Sequence, residues 1–259
     1  MAVPGIRMPS GTPEGLVDTE LFAVDAYRRE FDAMVVDVDR ANNRVALTRT
    51  AFYPGGGGQP HDVGTLAWDD GSNTVVKVRR EAERIWHWVD GDELPDPHAE
   101  VHGALDWSRR HLLMRTHTAL HILCGIIWAE FQIPVTGGNM EPGKGRLDFP
   151  FESMSAELGQ RVERRINDEI ARAREILVTF LGRDVADSDP ALIRTAANLI
   201  PREIDPLRVI DIVGLDRQAD GGTHVSSTAE VGTVAVTGTE SKGKGNKRIR
   251  IEVRDRQTP

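Results

Sequence analysis

The sequence predicts an α+β protein in two parts, a small β unit followed by a mixed unit of helices and strands. Three observations carry this. Short β-rich runs separated by Asn, Asp and Gly turns fill roughly the first hundred residues. Two long helical stretches then follow, Ser108 to Phe131 and Ser155 to Leu181. Strand-like runs return after residue 207, so helices and strands are grouped rather than alternating singly.

Residues 1–20 are rich in Pro, Gly and Ser and read as a flexible leader. They lack the basic start and apolar stretch of a secretory signal. Asp32 to Val38 and Arg44 to Thr50 are β-rich, and Arg40 to Asn43 supplies a turn between them, since Asn tolerates left-handed backbone. Gly64 to Trp68, Thr74 to Arg79, Arg84 to Val89 and Glu100 to Asp106 continue the pattern. Strands this short and close together fit a small barrel or a sandwich. The second helix puts Leu158, Val162, Ile166, Ile170, Ala173 and Leu177 on one side, with Ser155 as N-cap. Ala191 to Asn198 reads as a third, shorter helix; Leu207 to Ile212, Gly232 to Thr237 and Arg248 to Val253 read as strands on a mostly antiparallel sheet. The expected organisation is leader 1–20, β unit 21–108 and second domain 109–259.

Hydrophobic residues make up 39% and no run of about 18 apolar residues stands out, so no membrane span is expected. A single cysteine, Cys124, excludes an internal disulfide and fits a reducing cytoplasm. The net charge of −8 weighs against a generally basic nucleic-acid binder. Yet Lys242, Lys244, Lys247, Arg248 and Arg250 form a local basic strip, which reads as a phosphate contact or as a solvated terminal hairpin.

Four constellations bear on chemistry. His117 and His121 stand at i and i+4 on the first helix, where two imidazoles reach one metal ion; without a Glu at 118 this is not the metalloprotease helix. The plainer reading is a packed histidine pair. Cys124 shares their face. In Asp220-Gly-Gly-Thr-His224, the glycines permit a tight turn, and His224 with Asp220 can complete a metal site. Three protein ligands with an open position would make that site catalytic. In Phe52 to Gly64, four consecutive glycines expose amides that can cradle an oxyanion, and Gln59 offers a donor and an acceptor; a flexible surface loop is the commoner meaning of such a run. Asp148, on a strand, fits either an outer partner of a histidine ligand or a surface salt bridge.

These stretches occur in an order that resembles the AlaX proteins, free-standing relatives of the editing domain of alanyl-tRNA synthetases. The resemblance lies in Phe52-Tyr-Pro-Gly-Gly-Gly-Gly-Gln59 with Asp62 and Gly64, in Val101 to Arg110, in Leu113 to His121, and in Gly214 to Val225 with Glu230 and Gly232. It covers most of residues 20–255 and is similar to the medium-sized class. It implies a glycine-rich β-barrel followed by a two-layer editing domain of the alanyl- and threonyl-tRNA synthetase type. It implies hydrolysis of mischarged tRNA(Ala), seryl first and glycyl in some members, without a synthetase attached. His117, His121 and His224 match ligands of one zinc ion, and Gln59 matches a glutamine near the scissile ester. For that reaction the amides of Gly55 to Gly58, Gly57 and Gly58 among them, with Gln59 are expected to orient the ester or stabilise its oxyanion, Thr118, Thr223 or the metal itself to read serine's hydroxyl, and the basic strip to meet tRNA phosphates. One position departs: Asp220 stands where the family carries a cysteine ligand. That departure keeps open a tRNA-binding module with a structural metal, and the acidic charge keeps open a metal hydrolase of small esters or amides.

Overall fold

The computed structural model describes residues 10–152, 156–197, 200–241 and 245–256. The described chain divides into two compact units, 12–111 and 112–256, with residues 10 and 11 belonging to the second.

The first unit opens with two single-turn helices, α1 (Leu16–Thr19) and α2 (Leu21–Val24). Six strands follow: β1 (Glu30–Asp39), β2 (Arg44–Leu47), β3 (Gly64–Trp68), β4 (Gly71–Glu81), β5 (Arg84–Asp90) and β6 (Glu100–Leu105). They pair in the order β1-β2-β5-β4-β3-β6, and β6 pairs back to β1, so the sheet closes into an antiparallel barrel rather than a sandwich. Closure leaves no free edge. Alternation does the rest: Phe31, Ala33 and Val35 point into the core with Val45, Leu66, Val75 and Val101, while Met34 and Val36 face outward. The expected turn between the first two strands is a single 3-10 turn closed by Asn43 at φ 52°.

Helix α3 (Trp107–Phe131) starts on Asp106, whose Oδ1 accepts from Arg109 N at 3.0 Å. It is long and apolar enough by length and composition to resemble a membrane span, but 78% of the relevant window is buried inside the protein. It is a core helix, apolar on nearly all sides: Leu113, Met114, Ala119, Ile122, Leu123, Ile126 and Ile127 are all buried. After it come β7 (Gly137–Glu141), β8 (Lys144–Phe149), α4 (Ala156–Ala171), β9 (Ile176–Leu181), α5 (Arg183–Asp187), β10 (Leu207–Ile212), β11 (Asp216–Ala219), β12 (Thr233–Ser241) and β13 (Lys247–Arg254). These strands form two antiparallel sheets, β11-β10-β9 and β12-β13-β8-β7.

Two expectations need correction. The second long helix ends at Ala171, and Ile176–Leu181 is a strand paired with β10. Ala173 takes φ 51° and breaks the helix, and the run Ile-Leu-Val-Thr-Phe-Leu favours a pleated surface. The Ser155 cap lies outside the described residues. The short helix over 191–198 is only a 3-10 turn, Pro190–Leu192, and Val135 then bridges to Thr195. Within the expected leader, Ser10 O accepts from Phe180 N at 2.8 Å and α1 is formed.

His87 on β5 is fully buried in the barrel. Its Nδ1 donates to Val45 O at 3.3 Å, and its Nε2 lies 2.9 Å from the Thr50 hydroxyl, which accepts from Phe52 N at 3.0 Å. Burial holds this imidazole neutral, with its pKa lowered to about 4. The unfolded chain protonates near 6.5, so folding stability is fully present above that pH and is lost as pH falls from 6.5 toward 4, by about 3 kcal/mol at the limit. The stability difference between wild type and His87→Gln, followed by urea unfolding from pH 7.5 to 4.5, should therefore shrink as the solution is acidified. A constant difference would mean that His87 does not titrate in this way.

Candidate metal centre

The centre is assembled in the second unit from α3 and the segment after β11. The helical repeat sets His117 and His121 one turn apart on α3, with ring centroids 5.0 Å from each other. His224 closes the group, stacked on His117 at 4.3 Å and edge-on to His121 at 4.6 Å. Asp220 lies between them: its Oδ2 is 3.1 Å from His224 Nε2 and its Oδ1 is 3.7 Å from His117 Nε2. One ligand atom from each of the four residues falls within 4.8 Å of all the others.

The turn that delivers Asp220 and His224 is fixed by backbone contacts. Gly222 N donates to Asp220 Oδ2 at 2.7 Å, which folds the Gly-Gly segment over the carboxylate. Arg208, a buried residue of β10, donates through Nη1 to Asp220 O at 3.1 Å and to Gly222 O at 2.7 Å. Its guanidinium thus holds the inner side of the turn. Thr118 Oγ1 lies 3.1 Å from His224 Nδ1, so with Nε2 turned to the cluster the hydroxyl accepts from Nδ1. Thr223 is fully buried in the same turn.

Protonation of three of the four residues agrees with a ligand set. Burial pushes His117 down to about 4, against the pull of Asp220. Burial and the neighbouring His117 and His121 hold His224 well below its ordinary range. Burial opposes ionisation of Asp220, but the three histidines outweigh it and keep the carboxyl well below its usual value. His121 differs: burial lowers it, yet Asp216 and Asp220 together raise it. Neutral imidazole and ionised carboxylate are the forms that bind a divalent cation. Zinc ligands at about 2.0–2.1 Å stand a little over 3 Å apart in a tetrahedron, so small side-chain movements bring this cluster to that spacing. His121 Nδ1 is buried without an aligned hydrogen bond, although Asp216 Oδ2 is 3.3 Å away. The residues present fit a single divalent ion.

Sequence reading passed over Asp216 and Arg208. Asp216 is held by Gln218 Nε2 at 2.5 Å and Arg194 Nε at 3.4 Å, and Arg194 stacks on Trp128 at 4.4 Å. The only signal for Asp216 was its place four residues before Asp220; its partners converge from three elements. Asp148 is instead occupied by Arg248 and Arg146, the salt-bridge reading. Cys124 is buried outside the ligand group, and burial with the Asp216 charge pushes its thiol far up, so it stays protonated.

The remaining candidates are placed as follows. In the first unit, Gly55, Gly56, Gly57 and Gly58 all take positive φ, between 55° and 137°, a backbone that only glycine sustains over four residues. The loop is not loose. Gly56 and Gln59 exchange backbone hydrogen bonds, Gln59 is buried, and Gly57 and Gly58 are exposed at the tip. Beneath it Tyr53 N donates to Asp62 Oδ2 at 2.7 Å, and Asp62 forms a fully buried ion pair with Arg110, which also donates to Ala51 O and Ala26 O. On β13, Lys247 Nζ contacts Ser241 Oγ, Arg248 pairs with Asp148 and Arg250 with Glu240, so the described part of the basic strip is paired internally; Lys242 and Lys244 lie outside the described residues.

Comparison with known proteins follows the same division. A family model described as the threonyl and alanyl tRNA synthetase second additional domain matches residues 207–250, and one described as class II (A) tRNA synthetases matches residues 19–109. An alanyl-tRNA editing protein AlaX-M of Saccharolobus solfataricus is 36% identical over 237 residues, 91% of this chain and 98% of that protein. One from Methanosarcina barkeri is 34% identical, with 88% and 96% covered. The chain belongs to the AlaX-M family. An alanine–tRNA ligase of Pyrococcus furiosus is 34% identical over 90% of this chain but only 26% of the ligase. The AlaX-M proteins are thus matched nearly end to end, and the ligase over one region.

Asp216 has a testable part in the candidate centre. Loss of an outer carboxylate partner typically lowers metal affinity about 10–100-fold. Asp216→Asn should weaken zinc binding within that range in a chelator competition, and should also lower the thermal midpoint of the metal-free protein, because Arg194 loses its buried partner. Unchanged affinity would leave Asp216 as a packing residue.

Proposed function

We propose that the protein is a trans-acting editing hydrolase. It cleaves the ester between a wrong amino acid and tRNA(Ala), with seryl-tRNA(Ala) as principal substrate and glycyl-tRNA(Ala) as a further one, in the cytoplasm. The observation that carries the reading is the closure of His117, His121, Asp220 and His224 into one buried group in a chain of this family. Action without a synthetase is supported by the near-complete match to AlaX-M proteins.

His117, His121, His224 and Asp220 would hold one Zn2+. A bound zinc ion would supply Lewis acidity at this site. The chain's own residues do the rest. Thr118 keeps His224 in one tautomer, and Arg208 keeps the Asp220–His224 turn closed. A serine hydroxyl must be met by a positive contact, because an apolar pocket rejects an added hydroxyl poorly. We assign that contact to Thr223, with Thr118 acting through His224. In the first unit, the exposed amides of Gly57 and Gly58 and the buried Gln59 are assigned to contacts with the aminoacyl-tRNA. Lys247, Arg248 and Arg250 are the weaker candidates for phosphates, because Asp148 and Glu240 already occupy both guanidinium groups.

The test is deacylation of seryl-tRNA(Ala) beside alanyl-tRNA(Ala). The wild type should cleave the seryl ester and spare the alanyl one. His117→Ala should reduce cleavage by at least about 100-fold, the scale of losing a group that acts in the transition state. Seryl-tRNA(Ala) that survives as long as in buffer would refute the editing reading. Full activity of His117→Ala would refute the role of the centre.

A further inference from the structure

The motif Asp106-Trp-Ser-Arg-Arg110 is only half explained by the fold. Arg110 is consumed by the buried pair with Asp62, and Asp106 caps α3. Trp107 and Arg109 are left, and both are partly exposed residues of the first unit. Arg29, an exposed residue beside β1, rests on the Trp107 ring with its guanidinium 4.3 Å from the centroid. His111 stacks on the same ring at 5.4 Å and 18°, and Tyr27 leans against it at 5.9 Å. Arg109 donates through Nη2 to His61 O at 3.3 Å, and its buried Nε has no partner among the described residues. Neither Arg29 nor Arg109 pairs with a carboxylate among the described residues, although Arg28 next to them is taken by Asp25 at 3.5 Å. His61 belongs to the glycine loop, packed beside Gly55, so Arg109 holds the loop that carries the exposed Gly57 and Gly58.

We propose that Arg29 and Arg109 form a phosphate clamp for the backbone of the tRNA acceptor end, an inference that rests on the tRNA reading above. The physical grounds are three. On a chain of net charge −8, two guanidinium groups without acidic partners carry an exposed anion-binding capacity that the paired arginines of β13 lack. A ring under Arg29 fixes its plane before any ligand arrives, which reduces the entropy lost on binding. A buried Arg109 Nε without an acceptor leaves this guanidinium short of hydrogen bonds, which phosphate oxygens at its outer edge would complement. Trp107 already carries Arg29 and His111, so its part is to position rather than to stack a base.

The test measures binding of unacylated tRNA(Ala) to the metal-loaded full chain by fluorescence anisotropy over a range of salt. Wild type, Arg29→Gln/Arg109→Gln, Arg29→Lys/Arg109→Lys and the control Arg79→Gln, an exposed arginine of β4, are compared. Each lost phosphate contact removes about 0.7–0.9 from the slope of log affinity against log salt, so the Gln pair should lose about 1.5 and bind at least about 10-fold more weakly at low salt. The Lys pair should keep most of the slope, because charge rather than planar shape meets the phosphates. Arg79→Gln should match wild type. An unchanged slope in the Gln pair overturns the clamp, as does equal weakening of the Gln and Lys pairs with a lowered thermal midpoint. Wild type that binds no tRNA overturns the tRNA reading itself, and the clamp with it.

Discussion

Three imidazoles and one carboxylate come together in the second unit, with the histidines buried and Asp220 partly so. Burial keeps His117 and His224 neutral, and the hydrogen bond with His224 together with the neighbouring His121 favours the ionised form of Asp220. Each group therefore depends on the others for its ligand form. The supports differ in kind. The apolar register of α3 sets the helical pair, Arg208 closes the turn from the neighbouring strand, and Thr118 fixes one tautomer. Asp216 and Arg194 complete a second layer behind His121.

The first unit shows the same economy around a different charge. A buried Arg110–Asp62 pair ties the glycine loop to the barrel, and removing one partner of such a pair typically costs about 3–5 kcal/mol. Four consecutive positive-φ glycines then put amides at an exposed tip over a rigid base. A glycine run here means a specified conformation, not slack chain.

Much of this was legible in the sequence. Barrel strands showed themselves by alternation and by the Asn-rich turn, and α3 by its length. The His117 and His121 pair followed from helical spacing, and family order pointed to Asp220 and His224. What stayed hidden depends on three-dimensional convergence. Leu177 fits a helical stripe and a strand equally well, and only pairing with β10 decides between them. Asp216 looked like any turn residue until Arg194 and Gln218 met it. Arg248 looked free to bind phosphate because Asp148 lies about a hundred residues away in sequence, and Arg250 because only the β12–β13 pairing brings Glu240 beside it. Charge counts along a chain do not reveal which charges neutralise one another.

The position of Asp220 makes the centre one of nitrogen and oxygen donors, with Cys124 held back as a buried, protonated thiol. A harder donor in place of a thiolate shifts preference away from the softest cations. X-ray absorption at the zinc edge of the zinc-loaded protein tests this directly. The account predicts nitrogen and oxygen scatterers at about 2.0–2.1 Å, with a histidine multiple-scattering pattern and no sulfur shell. A sulfur scatterer at about 2.3 Å, or a spectrum without histidine scattering, would contradict it.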